Sequence, residues 1–221
     1  MMEDYSLKFW RAQFIQWLEQ HWIQEDKSHD IHHLHRVWRN IEKLWSEEGS
    51  AADLLVLLAA AYFHDLVTVP KSDPLRQKAS WLSAEKTIDL LTNQFVNFPQ
   101  EKLPAIHHAI HAHSFSANIP ASTPEAEILQ DADRMEALGA MGIARLFYTA
   151  GLMKSSLYNI EDPEGKNRLL NDNVYALDHI EAKLLTLPGT MKTTAGKQMA
   201  EKDASFIRDF KQKFLEEITT E

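Results

Sequence analysis

Apolar residues recur along most of this chain at helical spacing, and polar or Gly/Pro-bearing breaks separate the periodic stretches. Phe9, Trp10, Phe14, Trp17, Leu18 and Trp22 follow that spacing across 4–24 and predict a helix packed through this face. The polar segment EDKSHD, 25–30, reads as a turn, with Asp30 as N-cap of a second helix over 31–48. Gly49-Ser50 breaks the pattern. Ser50-x-x-Asp53 resembles a capping box in its acidic variant and opens the next helix. The run Leu54–Asp65, LLVLLAAAYFHD, is different in kind. It is apolar on every side, which predicts a buried helix at the centre of the fold. It falls short of the roughly 20 residues that span a bilayer.

Downstream, Leu66–Ala79 carries two prolines and three basic residues and reads as a loop. Helices are expected over 80–95 and 100–113. Thr123 before Pro124 marks another start, Pro being favoured at the first helical position. That helix is expected to run past Asp133, with Gly139 and Gly142 allowing a bend or close packing. Residues 153–173 are polar and predict a long loop, and helices resume over 174–187 and 195–218. With 221 residues, 44% of them apolar, and only seven Gly and eight Pro, the expectation is one all-α domain spanning 1–221. There is no Cys, hence no disulfide framework and no thiolate metal site. The N-terminal MMEDYSLKFW is acidic and amphipathic, unlike a signal peptide, so the chain reads as cytoplasmic. A net charge of −9 argues against a duplex nucleic-acid partner, whose binding needs a basic face. It leaves room for a small phosphorylated one.

The central run ends in an imidazole and a carboxylate, His64 and Asp65. Burying such a pair is costly unless something compensates it. A divalent cation would do so, because both groups are ordinary ligands. A structural pair capping the helix end is the other reading. Two further stretches bear on the choice: SHDIHHLHRVW, Ser28–Trp38, and ILQDADRMEALGAMGIAR, Ile128–Arg145. His33 followed by Arg36-Val37, then His64-Asp65, then Asp133 resembles the H…HD…D signature of HD-domain metal-dependent phosphohydrolases. The likeness is greatest to the small, single-domain bacterial branch. The shared words there include SHDxxHxxRV, FHD, a Pro-Lys after the HD pair, HSFS, and QDADR followed by ALGA. They run in the same order here between about residues 28 and 145.

The resemblance implies an HD core over about 28–145 with the helices of 174–218 packed on it. It implies one divalent metal held by His33, His64, Asp65 and Asp133. Mn²⁺ or Mg²⁺ suits the carboxylates; Co²⁺, Ni²⁺, Zn²⁺ or Fe²⁺ suits the imidazoles. Asp65 is also expected to orient or deprotonate a bound water. Lys71 and Arg76 fall within the matching words and are the expected phosphate contacts. Arg36, on the His33 helix face, and Arg134 rank below them, and Arg134 has a structural ion pair as its alternative. His107, His108, His111 and His113 form a dense group. Some HD proteins hold a second metal on such residues. The preferred reading gives His108 and His113 phosphate or supporting contacts. The sequence departs from other HD branches after Asp65, where Leu66-Val67-Thr68-Val69 offers no second carboxylate; Glu136, one turn after Asp133, is a candidate substitute. The expected activity is hydrolysis of a small nucleotide-like phosphate, with pyrophosphate release from a nucleoside triphosphate ahead of nucleotidase action. The alternatives are a metal-retaining nucleotide-binding module without turnover, and a di-metal phosphodiesterase or oxygenase.

Overall fold

The apolar run does form a helix, and four others surround it. The computed structural model describes residues 6–23, 30–49, 51–69, 77–95, 97–114 and 117–218. Among these it holds nine α-helices: α1 (Leu7–His21), α2 (Ile31–Glu48), α3 (Leu54–Phe63), α4 (Ala79–Asn93), α5 (Leu103–His113), α6 (Pro124–Met135), α7 (Gly139–Met153), α8 (Asp178–Ala182) and α9 (Thr194–Ile218). No strand occurs among the described residues; Ser156 and Tyr175 make one isolated parallel bridge. The fold is all-α. No helix of the described residues is long and apolar enough to cross a membrane. The chain divides into two compact units, Met1–Asp133 and Arg134–Glu221.

In the first unit α3 touches α1, α2, α4 and α5. Val56 to Phe63 are all buried, none more than 2% exposed. Such a helix has no polar face to spare, so its polarity is confined to its ends. At the start, the Asp53 carboxylate accepts from the backbone N–H of Leu55 and Val56, and its own N–H donates to Glu125. The N-cap is therefore Asp53, not Ser50 three residues earlier, which lies outside the described residues. Asp30 caps α2 as expected, accepting from the N–H groups of His32 and His33. This makes the upstream His29-Asp30 dipeptide a capping device in its Asp half; His29 lies outside the described residues.

Only part of the aromatic face expected of the first helix is core. Trp10, Phe14 and Leu18, four residues apart, are buried against Phe63, Phe95 and Phe98. Phe9 is 38% exposed because its neighbour Trp10 already occupies the inward direction. Trp17 sits at the margin, with its indole N–H on Gln94, and Trp22 falls just past the helix end.

The second unit has its own core, in which Leu138, Ile143, Leu146, Ile180, Leu184 and Ile207 meet. The helix expected to run past Asp133 stops at Met135. Gly139 has φ +62°, a left-handed conformation that starts α7 in a new direction. A Cβ on Gly142 would lie 2.3 Å from the Ala137 carbonyl oxygen, so this turn admits only glycine there. The stretch expected as a long polar loop is irregular but internally bonded. Asp162 accepts from the N–H groups of Lys166 and Asn167. Arg168 makes a two-pronged bond to the buried Asp178 carboxylate, at 2.6 and 2.7 Å.

Leu57 has no exposure and no face to move to. Leu57→Ala should cost about 3–5 kcal/mol of unfolding free energy, as cavity-forming core truncations do. Urea titration followed by circular dichroism reads this directly; a loss below about 1 kcal/mol would contradict the central position of α3.

Candidate metal centre

Four helices each deliver a polar side chain near one of their ends. His33 is in the first turn of α2, and His64 with Asp65 closes α3. His113 is the last residue of α5, and Asp133 lies in the last turn of α6. Side-chain hydrogen bonds set the position of α6. Glu125 takes the Asp53 N–H, Asn40 of α2 donates to the Ala132 carbonyl, and Gln130 donates to the Ala112 carbonyl. The last two grip residues immediately before Asp133 and His113. On the other side, Ser83 of α4 both accepts from and donates to the Val67 backbone, which fixes the chain just after His64-Asp65. The Thr87 hydroxyl donates to the Ser83 carbonyl at 2.7 Å and lies 3.4 Å from the Phe63 carbonyl.

The resulting distances are narrow in range. His33 Nε2 lies 3.3 Å from His64 Nε2. Asp133 Oδ1 is 3.5 Å from His33 Nε2 and 3.7 Å from His64 Nε2. Asp65 Oδ2 is 4.0 and 3.6 Å from the same two nitrogens. Both imidazoles have no exposure, while the Asp65 and Asp133 side chains are 25% and 29% exposed. The site is closed on its imidazole side and open on its carboxylate side.

Gaps of 3.5–4.0 Å between nitrogen and carboxylate are too long for good hydrogen bonds. They are slightly wider than the separation of neighbouring ligands around one ion, since bonds of about 2.0–2.2 Å place adjacent donors about 2.8–3.6 Å apart. The His64 tautomer agrees. Its Nδ1–H points to the Ala61 carbonyl at 2.9 Å, leaving the Nε2 lone pair for the cluster. Two overlapping groups could hold a metal: His33, His64 and Asp65, and His64, His113 and Asp133. They share His64, so they describe one compartment.

The electrostatics follow from the same geometry. Burial presses the His64 pKa down, but the charges of Asp65 and Asp133 overcome it and raise it from 6.5 to about 9. Burial would raise both carboxyls, yet the surrounding imidazoles hold Asp65 below its ordinary value and Asp133 well below it. Burial, reinforced by His64, lowers His113, which therefore stays neutral.

The remaining expected residues divide. His113 joins the cluster, its Nε2 3.8 Å from Asp65 Oδ1. His107 is outside both groups and bonds Glu85 at 2.8 Å. His108 is outside them too, its Nε2 accepting from the Ser122 N–H. Arg36 is half-buried, one turn beyond His33 on α2. Arg134, in the second unit, donates to the Thr190 carbonyl at 2.7 Å. Glu136 is buried and lies 3.8 Å from Arg145, also in the second unit. Lys71 and Arg76 lie outside the described residues. Sequence reading missed Asn40, Ser83, Thr87 and Gln130. Each acts on a backbone group, and no spacing announces that.

Comparison with known proteins gives a consistent picture. A family model described as HD-CE matches residues 2–178. The uncharacterised protein YpgQ of Bacillus subtilis strain 168 is 32% identical over 207 residues, covering 91% of this chain and 90% of its own. The crystal structure of B. subtilis YpgQ in complex with ADP superposes with a TM-score of 0.71 at 28% identity, covering 94% of this chain and 97% of that one. An HD-superfamily hydrolase from Bacillus thuringiensis gives a TM-score of 0.70 at 27% identity, covering 95% and 97%. A match over most of the sequence, with the motif's histidines and aspartates gathered at one buried point, leads to a plain conclusion: this chain belongs to the HD-CE family.

Proposed function

We propose that this chain is a metal-dependent phosphohydrolase acting on a small nucleotide. The observation that carries the reading is the convergence of Asp65 and Asp133 on the His33 and His64 nitrogens at 3.5–4.0 Å, with those two nitrogens 3.3 Å apart. These four residues hold the cation, two neutral donors and two anionic ones balancing a divalent charge. When bound, the ion polarises a phosphoryl oxygen and makes a coordinated water acidic. Asp65, whose side chain is 25% exposed, can orient that water and take its proton. The ADP complex of YpgQ, a protein of similar fold, supports a nucleotide as ligand. Lys71 and Arg76 are assigned to the phosphates that are not attacked, which favours release of pyrophosphate from a nucleoside triphosphate. A non-catalytic nucleotide-binding module is the second reading. Its support is Glu136, a carboxylate one turn beyond Asp133, which lies against Arg145 and outside both metal-capable groups.

Purified protein should carry or bind one divalent ion per chain. Elemental analysis should find it lost in Asp65→Ala and in Asp133→Ala, beyond the roughly 10–100-fold weakening that removal of an outer partner gives. Unchanged metal content in both variants would sink the ligand assignment. A screen of nucleoside mono-, di- and triphosphates with Mn²⁺, Mg²⁺, Co²⁺ and Ni²⁺, separating phosphate from pyrophosphate, tests the activity. Binding without turnover across the whole screen would bring the second reading to the front.

Lys71→Ala and Arg76→Ala should each raise KM for a triphosphate about tenfold, the equivalent of roughly 1.4 kcal/mol, with metal content intact. Loss of metal in both would make the loop a structural support. A third outcome follows from the His64 pKa of about 9. In metal-free protein at pH 7.5 that imidazole is protonated, and ligation must expel the proton. Titrating Mn²⁺ into weakly buffered protein should release about one proton per ion, and release should fade as pH rises through about 9.

A further inference from the structure

The motif supplies two imidazoles, but the compartment contains three. His113 is 6% exposed and sits at the end of α5. Its Nδ1–H donates to the carbonyl of Ile110, three residues back in its own helix, at 2.6 Å. His64 uses the same device, with Ala61 three residues back. A histidine that binds metal almost always ties its other ring nitrogen in this way, because the bond fixes both tautomer and ring direction. Gln130 adds a further brace through the carbonyl of Ala112, the residue next to His113.

The lone pair of His113 Nε2 faces Asp65 Oδ1 across 3.8 Å. Both atoms are acceptors, and an imidazole this buried cannot turn to water instead. A cation between them would be bonded by both. One of its nitrogens, one of His64 and an oxygen of Asp133 all fall within 4.8 Å of one another. That is the same shared compartment, since His64 and Asp133 already face His33.

We infer that His113 Nε2 is a fifth protein ligand of the metal, beyond the two histidines and two aspartates of the motif. The inference rests on the proposal that a cation binds there at all. It names the class of ion. Three imidazoles and two carboxylates suit Mn²⁺, Fe²⁺, Co²⁺, Ni²⁺ or Zn²⁺. They suit Mg²⁺ poorly, which keeps most of its waters and is held by few carboxylates.

The test uses Co²⁺ and Mg²⁺ binding to the full chain, without substrate. Wild type, His113→Gln and His113→Asn are compared, with thermal unfolding as the check on folding. The expected result is a loss of Co²⁺ affinity of more than about tenfold in both variants. The visible Co²⁺ absorption should change in position and intensity as one nitrogen leaves. Mg²⁺ affinity should change far less, so that the Co²⁺-over-Mg²⁺ preference falls. Wild-type Co²⁺ affinity and spectrum in a folded His113 variant would overturn the inference while leaving the four-ligand centre standing. Absence of Co²⁺ binding by wild type would overturn the centre itself. Equal weakening of Co²⁺ and Mg²⁺ with an unaltered spectrum would make His113 a support of the site and not a ligand, which also refutes the claim.

Discussion

Two imidazoles without solvent exposure confront two carboxylates across gaps too wide for direct hydrogen bonds, and the first unit is arranged around that confrontation. Water cannot satisfy the nitrogens, because α3 and its neighbours exclude it. The carboxylates stand 3.5–4.0 Å away, and the two Nε2 atoms face each other at 3.3 Å. A charge placed in the gap resolves the conflict. In the metal-free state that charge is the proton His64 retains up to about pH 9. Proton and cation are thus competitors for one location, and the same carboxylates that strengthen one strengthen the other.

Helix ends sharpen the effect. α3, α5 and α6 all bring their C-terminal turns to the cluster, through His64, His113 and Asp133. Helix C-termini carry partial negative charge from unsatisfied carbonyls. Three of them near one point make a field favourable to a cation before any side chain is counted. Ala61 and Ile110 lend their carbonyls to the imidazoles, so the backbone also fixes the direction in which the nitrogens point.

The parts of this arrangement that were legible in the sequence are those with a local signature. An unbroken apolar run reads as a buried helix whatever its partners, and Asp30 before a periodic stretch reads as a cap. His33, His64, Asp65 and Asp133 could be named because they sit inside extended matching words. Where side chains act on distant backbone, the sequence is silent. Asn40 is separated from Ala132 by 92 residues and Gln130 from Ala112 by 18, and nothing near either amide points to its carbonyl. Ser50 was read as the cap because capping boxes open with Ser; Asp53 took the role because it alone stands directly before the first helical residue. The density of histidines in α5 signalled a site without saying which of the four belonged to it. One more turn of helix decided that: His113 reaches the cluster, while His107 bonds Glu85 and His108 takes the Ser122 N–H.

The uniform apolarity of α3 has a consequence for how this centre tolerates change. An amphipathic helix is oriented by its stripe, and a substitution that blurs the stripe can roll the helix and swing everything attached to it. α3 has no stripe. Its rotational setting comes from Asp53 at one end, from the Tyr62 hydroxyl bonded to Arg11 and His35 near the other, and from the shape of the surrounding side chains. Exchanges among Val, Leu and Ile along Val56–Phe63 therefore alter how firmly the helix is held far more than where His64 points. Stability and the aim of the His64 imidazole can drift independently, which lets sequences diverge through this helix while the geometry at its end stays put.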